Sequence, residues 1–116
     1  MGLMGTTTQI EIVKIPTVIK IWRRSRGRFN GAITDPAVID YLRPLAVERK
    51  RVAVAINGVE LEVRLLYKVI NGRPYILFFL PKSLKPTWEK LNEKGEVRAL
   101  ITIVDKTTAT NVGGQA

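Results

Sequence analysis

Two stretches decide the fold class of this chain: Arg51-Val52-Ala53-Val54-Ala55-Ile56-Asn57-Gly58-Val59-Glu60-Leu61-Glu62-Val63-Arg64-Leu65, and beyond it Asn71-Gly72-Arg73-Pro74-Tyr75. Val52, Val54 and Ile56 alternate with small or polar residues, the period-2 pattern of a half-buried strand. Asn57-Gly58 then supplies two residues that tolerate positive φ, as a type I′ hairpin turn requires. Val59 to Val69 reads as one returning arm with Val59, Leu61, Val63 and Leu65 on one face. Asn71-Gly72 marks a second hairpin into the strand Pro74 to Leu80. Two such turns separated by one long arm predict a three-stranded meander.

Working outward, Thr34-Asp35-Pro36 predicts a helix start: a capping side chain, then proline where its missing N–H costs nothing. Val38, Tyr41, Leu42 and Leu45 follow as an apolar stripe. Pro44 is expected to end this helix near Arg43. Upstream, Ile10 to Ile15 and Val18 to Trp22 read as two strands broken at Pro16-Thr17. An arginine-rich turn and a short strand, Phe29 to Ile33, interrupted at Asn30-Gly31, come next. Downstream, Pro81-Lys82-Ser83 opens a second short helix with Ser83 as its cap and Leu84, Trp88 and Leu91 inward. Val97, Ala99, Ile101 and Ile103 alternate as the last strand. Gly27, Gly31, Gly58, Gly72 and Gly95 all read as turn glycines. The expectation is one domain over residues 9–105, flanked by a flexible start at 1–8 and a flexible tail at 106–116. Its fold class is mainly β (α+β), a small mixed barrel of about seven strands with two short helices.

The chain has 116 residues, 46% of them apolar, a length and balance suited to one globular domain. Its longest apolar run, Tyr75 to Leu80, is far below the roughly 20 residues of a membrane span. The first residues lack the basic and apolar regions of a secretory signal, so a cytoplasmic protein is expected. There is no cysteine and no histidine. That removes disulfides, thiol nucleophiles, thiolate metal sites and imidazole chemistry, and with them most hydrolase templates. No phosphate-binding glycine loop, dinucleotide fingerprint or zinc motif is present, so no catalytic residue, metal ligand or cofactor is assigned. Asp35 reads as a helix-start residue, and Glu60 and Glu62 as a solvated outer row. The net charge of +9 favours a polyanionic partner. Frequent Ile and Val, few amides and no Cys also suit a thermophile, in which such charge is simply solvated.

Residues 29–56 and 75–103 repeat one pattern: an apolar extended segment, a proline, a short amphipathic helix, a charged turn and an alternating strand. Pro36 and Pro81 lie 45 positions apart, as do Val52 and Val97. The phrases Leu80-Pro81-Lys82-Ser83-Leu84 and Gly95-Glu96-Val97-Arg98-Ala99-Leu100-Ile101 resemble half of an AbrB-like swapped-hairpin protein. The stretch Val52 to Val104 is similar to the family of unknown function DUF1905. The resemblance implies a double-split or pseudo-barrel monomer made of two fused half-repeats; it implies no activity. Two features depart from that pattern, the helix segment Lys85-Pro86-Thr87-Trp88-Glu89-Lys90 and the very basic turn after the first strand pair.

That turn carries the functional lead. Lys14, Lys20, Arg23, Arg24, Arg26 and Arg28 fall in a span without an acidic residue. With Ile19 and Ile21 facing the core, Lys20 and Trp22 project outward. Guanidinium groups beside an aromatic suit phosphate contact and base stacking, because the planar fork donates two parallel hydrogen bonds. Arg43, Arg49, Lys50 and Arg51 are a second basic group that extends the same surface if the chain folds that way. The expected partner is DNA or RNA, with little sequence-specific readout. The alternatives are solvated charge, a protein-interaction or structural module (including a homodimer), and an enzyme acting on a small anion. Phe78 and Phe79, being adjacent, should point to opposite faces.

Overall fold

Both Asn-Gly turns form with positive φ at each central residue: +50° and +81° at Asn57 and Gly58, +52° and +79° at Asn71 and Gly72. The computed structural model describes residues 6–110, and the side chains of residues 10–104. Its elements in chain order are β1 (Thr6–Arg23), β2 (Phe29–Ile33), α1 (Pro36–Val47), β3 (Arg51–Ile56), β4 (Val59–Arg64), β5 (Leu66–Ile70), β6 (Arg73–Phe79), α2 (Lys85–Lys94) and β7 (Glu96–Thr110). The seven strands make one sheet in the order β4-β3-β7-β1-β2-β6-β5, and every pairing is antiparallel. The expected class, mainly β with about seven strands and two helices, is what forms.

The meander is different. The returning arm is not one strand but two, split at Leu65. Its first half pairs with β3 and its second with β6, so consecutive strands β4 and β5 occupy opposite edges of the sheet. Seven strands at about 4.8 Å spacing would hold those edges roughly 29 Å apart if the sheet were flat. One intervening residue spans at most about 7 Å from Arg64 to Leu66. The sheet therefore curls into a half-barrel whose edges meet at Leu65. That side chain is fully buried, and its N–H donates to the Lys50 carbonyl at 3.0 Å.

The concave side and the two helices share one core. Ile19, Ile21, Val54, Ile56, Ile76, Phe78 and Ile101 contribute from the strands, Ile39, Leu42 and Ala46 from α1, and Trp88 and Leu91 from α2. The segments β2-α1-β3 and β6-α2-β7 meet strand against like strand, β2 on β6 and β3 on β7. Asp35 caps α1, accepting from the N–H groups of Ala37 (2.9 Å) and Val38 (3.5 Å).

Several expectations change here. Pro44 does not end α1, which runs on to Val47. The i−4 carbonyl that Pro44 leaves without a donor belongs to Asp40, which is exposed and open to water. Ile39, not the exposed Tyr41, completes the buried stripe. In α2 the Ser83 side chain makes no cap; a single 3-10 turn, Lys82–Leu84, leads in instead. Trp88 is core, as expected, and its indole N–H donates to the Pro81 carbonyl at 2.8 Å.

Pro16 does not break β1, which runs unbroken for 18 residues. It sits where β1 has β7 on one side and no strand on the other, a position that tolerates a missing donor. The β1–β7 pairing extends from Lys20↔Glu96 to Thr6↔Thr110. Strand therefore covers Thr6–Thr8 and Lys106–Thr110, parts of the ends expected to be flexible, while 1–5 and 111–116 lie outside the described residues. Because β2 pairs only Ile19–Arg23 and β3 only Ala99–Thr102, the rest is a two-stranded ribbon standing off the domain. It accounts for a longest dimension of 62 Å against 31 and 23 Å.

Gly31 is not a turn residue. It lies inside β2 directly opposite Phe78, where a Cβ would come within 2.3 Å of the phenyl ring. Gly31→Ala should overpack the core and cost about 1–3 kcal/mol. Thermal or denaturant unfolding of the two proteins checks this; an unchanged midpoint would show that Phe78 has room to move.

Candidate nucleic-acid interface

Alternation along β1 sends Ile19 and Ile21 into the core and Lys20 and Trp22 to the convex face, as the sequence predicts. β1 ends at Arg23, and a tight 3-10 turn, Ser25–Gly27, leads into β2. Arg26 and Gly27 both take positive φ, and the Arg24 N–H donates to the Arg28 carbonyl at 2.6 Å. Beyond Lys20, β1 loses β7 as a neighbour, and the Ile21 carbonyl accepts instead from the Asn92 side-chain amide of α2 at 2.6 Å. Helix α2 thus braces the strand just before the arginine turn.

The turn rests on aromatic rings. The Arg23 guanidinium lies 5.0 Å from the centre of the Phe29 ring, and that of Arg24 lies 4.7 Å from Phe79. Phe78 and Phe79 do point to opposite faces: Phe78 is fully buried, while Phe79 is 55% exposed. Arg24, Arg28, Phe79 and Lys82 line one shallow cavity of about 370 Å³. Lys85 also approaches the turn, since a Cβ on Gly27 would lie 2.8 Å from its ammonium nitrogen. Among the described residues the one ion pair is Arg51–Glu62 at 3.4 Å, both side chains well exposed. Arg23 and Arg24 have aromatic faces beneath them, and no cation of the turn has a carboxylate within ion-pair reach.

Cross-strand register extends this surface. Trp22, Asn30 and Phe79 stand in one row across β1, β2 and β6, and Lys20, Ala32 and Leu77 in the next. Trp22 leans across to Tyr75, ring centres 5.0 Å apart and edge to face, with the buried Ala32 between their strands. Lys20, Trp22, Arg73 and Tyr75 help line a second cavity, about 320 Å³, at the start of α1. Asn30 is 7% exposed, and its side-chain oxygen is buried with no hydrogen-bond partner.

The second basic group falls elsewhere. Ala53 of β3, Thr102 of β7 and Lys14 of β1 share one row, so Arg51 lies level with the ribbon. Lys50 and Arg51 line a cavity there with Glu11, Val13 and Val104. From Ile12 to Arg23 is about 35 Å along the strand at ~3.3 Å per residue. Lys14 belongs with that distant end, Arg49 lines a cavity beside Tyr67 and Lys68, and Arg43 lies over the Tyr67 ring at 4.8 Å. Lys20, Trp22, Arg23, Arg24, Arg26 and Arg28 are therefore brought together, and Arg43, Arg49, Lys50 and Arg51 do not join them. Sequence reasoning missed Phe79, Lys82 and Lys85 as neighbours of the turn, and Asn30, Arg73 and Tyr75 as neighbours of Lys20 and Trp22. Only the adjacency of Phe78 and Phe79 hinted that one ring must face outward.

Among the described residues, no three His, Cys, Asp or Glu side chains gather to hold a metal ion, and no helix is long and apolar enough to cross a membrane. No family model, curated protein or solved structure matches the chain. The half-barrel agrees with a swapped-hairpin fold in its general form only.

Proposed function

We propose that this protein binds nucleic acid, gripping phosphates with the arginine turn between β1 and β2. The observation that carries this reading is the setting of Arg23 and Arg24: guanidinium groups laid over Phe29 and Phe79, with Arg28 and Lys82 beside them and no acidic partner. A surface built only for solubility has no need to hold its cations on aromatic faces. Stacked guanidinium keeps its edge donors free for phosphate oxygens. Contacts of this kind carry little sequence information, so affinity should follow charge more than sequence. The pairing of β2 on β6 and β3 on β7 supports descent from two fused halves.

The test replaces Arg23, Arg24 and Arg28 by Gln and Arg26 by Asn, which tolerates the positive φ at that position. Binding to duplex and single-stranded oligonucleotides is then titrated between 50 and 200 mM salt, a range in which a protein making about six to ten phosphate contacts loses roughly 10³–10⁵ in affinity. The parent should lose affinity steeply with salt, and the variant should bind at least about tenfold more weakly with a shallower slope, by ~0.7–0.9 per lost phosphate contact. Full affinity in a folded variant, or a parent affinity indifferent to salt, contradicts the reading.

A second reading, self-association, has its own observation in the ribbon. Ile10 and Ile12 are each 59% exposed, and Val104, opposite Ile12, is 53% exposed on the same face. An isolated two-stranded ribbon is marginal in water, and free strand edges with apolar side chains invite further pairing. Light scattering should give the mass of a dimer, and Ile12→Lys the mass of a monomer. A monomeric parent at tens of micromolar would sink this reading and leave nucleic-acid binding untouched.

A further inference from the structure

We infer that the convex row Trp22–Asn30–Phe79 is a stacking platform for unpaired bases, so that the preferred ligand is single-stranded nucleic acid rather than duplex. This rests on the nucleic-acid reading above and adds what that reading leaves open. Three observations converge. The register sets Trp22, Asn30 and Phe79 side by side on neighbouring strands, with directly opposed residues about 5 Å apart. Phe79, 55% exposed, sits on the convex face with its ring against the Arg24 guanidinium and little else to bury it. Asn30 keeps a buried side-chain oxygen without a partner, an arrangement that ordinarily costs stability.

An unpaired base meets all three. Its faces stack on an indole or phenyl ring whatever its identity. Its amino or imino edge carries the donor that the Asn30 oxygen lacks. The backbone then runs between Arg24 and Lys82 at one side and Lys20 and Arg73 at the other. A duplex cannot do this, because its bases are already stacked and their hydrogen-bonding edges paired. It offers the turn only phosphates.

The full chain is titrated at one low salt concentration with three probes: oligo(dT), oligo(U) and a mixed-sequence duplex of the same length. Tryptophan fluorescence and anisotropy of a labelled oligonucleotide are followed together. Trp88 is 99% buried in the core, so a quench on binding reports Trp22. Single strands should bind at least about tenfold more tightly than duplex and quench the fluorescence, and Trp22→Phe should abolish the quench. Phe79→Ala should weaken single-strand binding by about 5- to 100-fold, the loss expected for one stacked base, and duplex binding by clearly less, through the lost support of Arg24 alone. A preference of oligo(U) over oligo(dT), or the reverse, identifies the sugar the platform favours and supports the proposal equally. Equal affinity for duplex and single strand with Phe79→Ala unchanged overturns the platform and leaves phosphate binding standing. No binding of any probe overturns both.

Discussion

Everything in this fold is subordinate to one covalent fact: β4 and β5, the two edges of a seven-stranded sheet, are joined through the single residue Leu65. A flat sheet cannot satisfy it, so the sheet must curl. Curling creates a concave side deep enough to need filling, and α1 and α2 fill it with Leu42, Trp88 and Leu91. It also crowds the two faces unequally. Gly31 lets Phe78 press onto β2 from the inside, while on the outside Trp22, Tyr75 and Phe79 have no third layer above them.

The candidate site follows from that inequality. Alternation must send every second side chain of β1, β2 and β6 to the convex face, whatever the residues are. A face meant only for water would carry polar residues there. This one carries two rings partly exposed to solvent and a third, Phe79, more than half exposed, edged by arginine and lysine. Arginine and aromatic groups stabilise one another through the ring quadrupole, by about 0.5–1 kcal/mol at exposed sites. That is enough to orient guanidinium groups without neutralising them. The Asn92 amide, bonded to the Ile21 carbonyl, fixes the strand from which the turn projects, so its cations are carried by a braced element.

The sequence made local chemistry legible and left tertiary placement hidden. Both Asn-Gly turns, the Asp35 cap and the inward and outward sides of Ile19, Lys20, Ile21 and Trp22 depend on neighbours in the chain, and each is found where the pattern puts it. The split at Leu65 left no mark, because Val59, Leu61, Val63 and Leu65 alternate as smoothly as a single strand would. Pro16 and Pro44 misled for the same reason as each other. Proline breaks an element only when the lost hydrogen bond matters, and at a free strand edge or a solvated helix face it does not. The basic cluster at 20–28 was visible as a run of charge. Its aromatic supports were not, since Phe79 lies more than fifty residues away, and the distance to Arg49-Lys50-Arg51 is a matter of strand register alone.

The most direct test of this account is a residue-resolved map of the bound face: backbone amide and tryptophan indole NMR shifts recorded while a short single-stranded oligonucleotide is added. The account predicts that perturbations concentrate on Lys20, Trp22 to Arg28, Asn30, Tyr75, Phe79 and Lys82, with the Trp88 indole and residues 49–51 unmoved. Perturbations centred on Arg43 and Arg49 to Arg51, or spread evenly over every lysine and arginine, would contradict it.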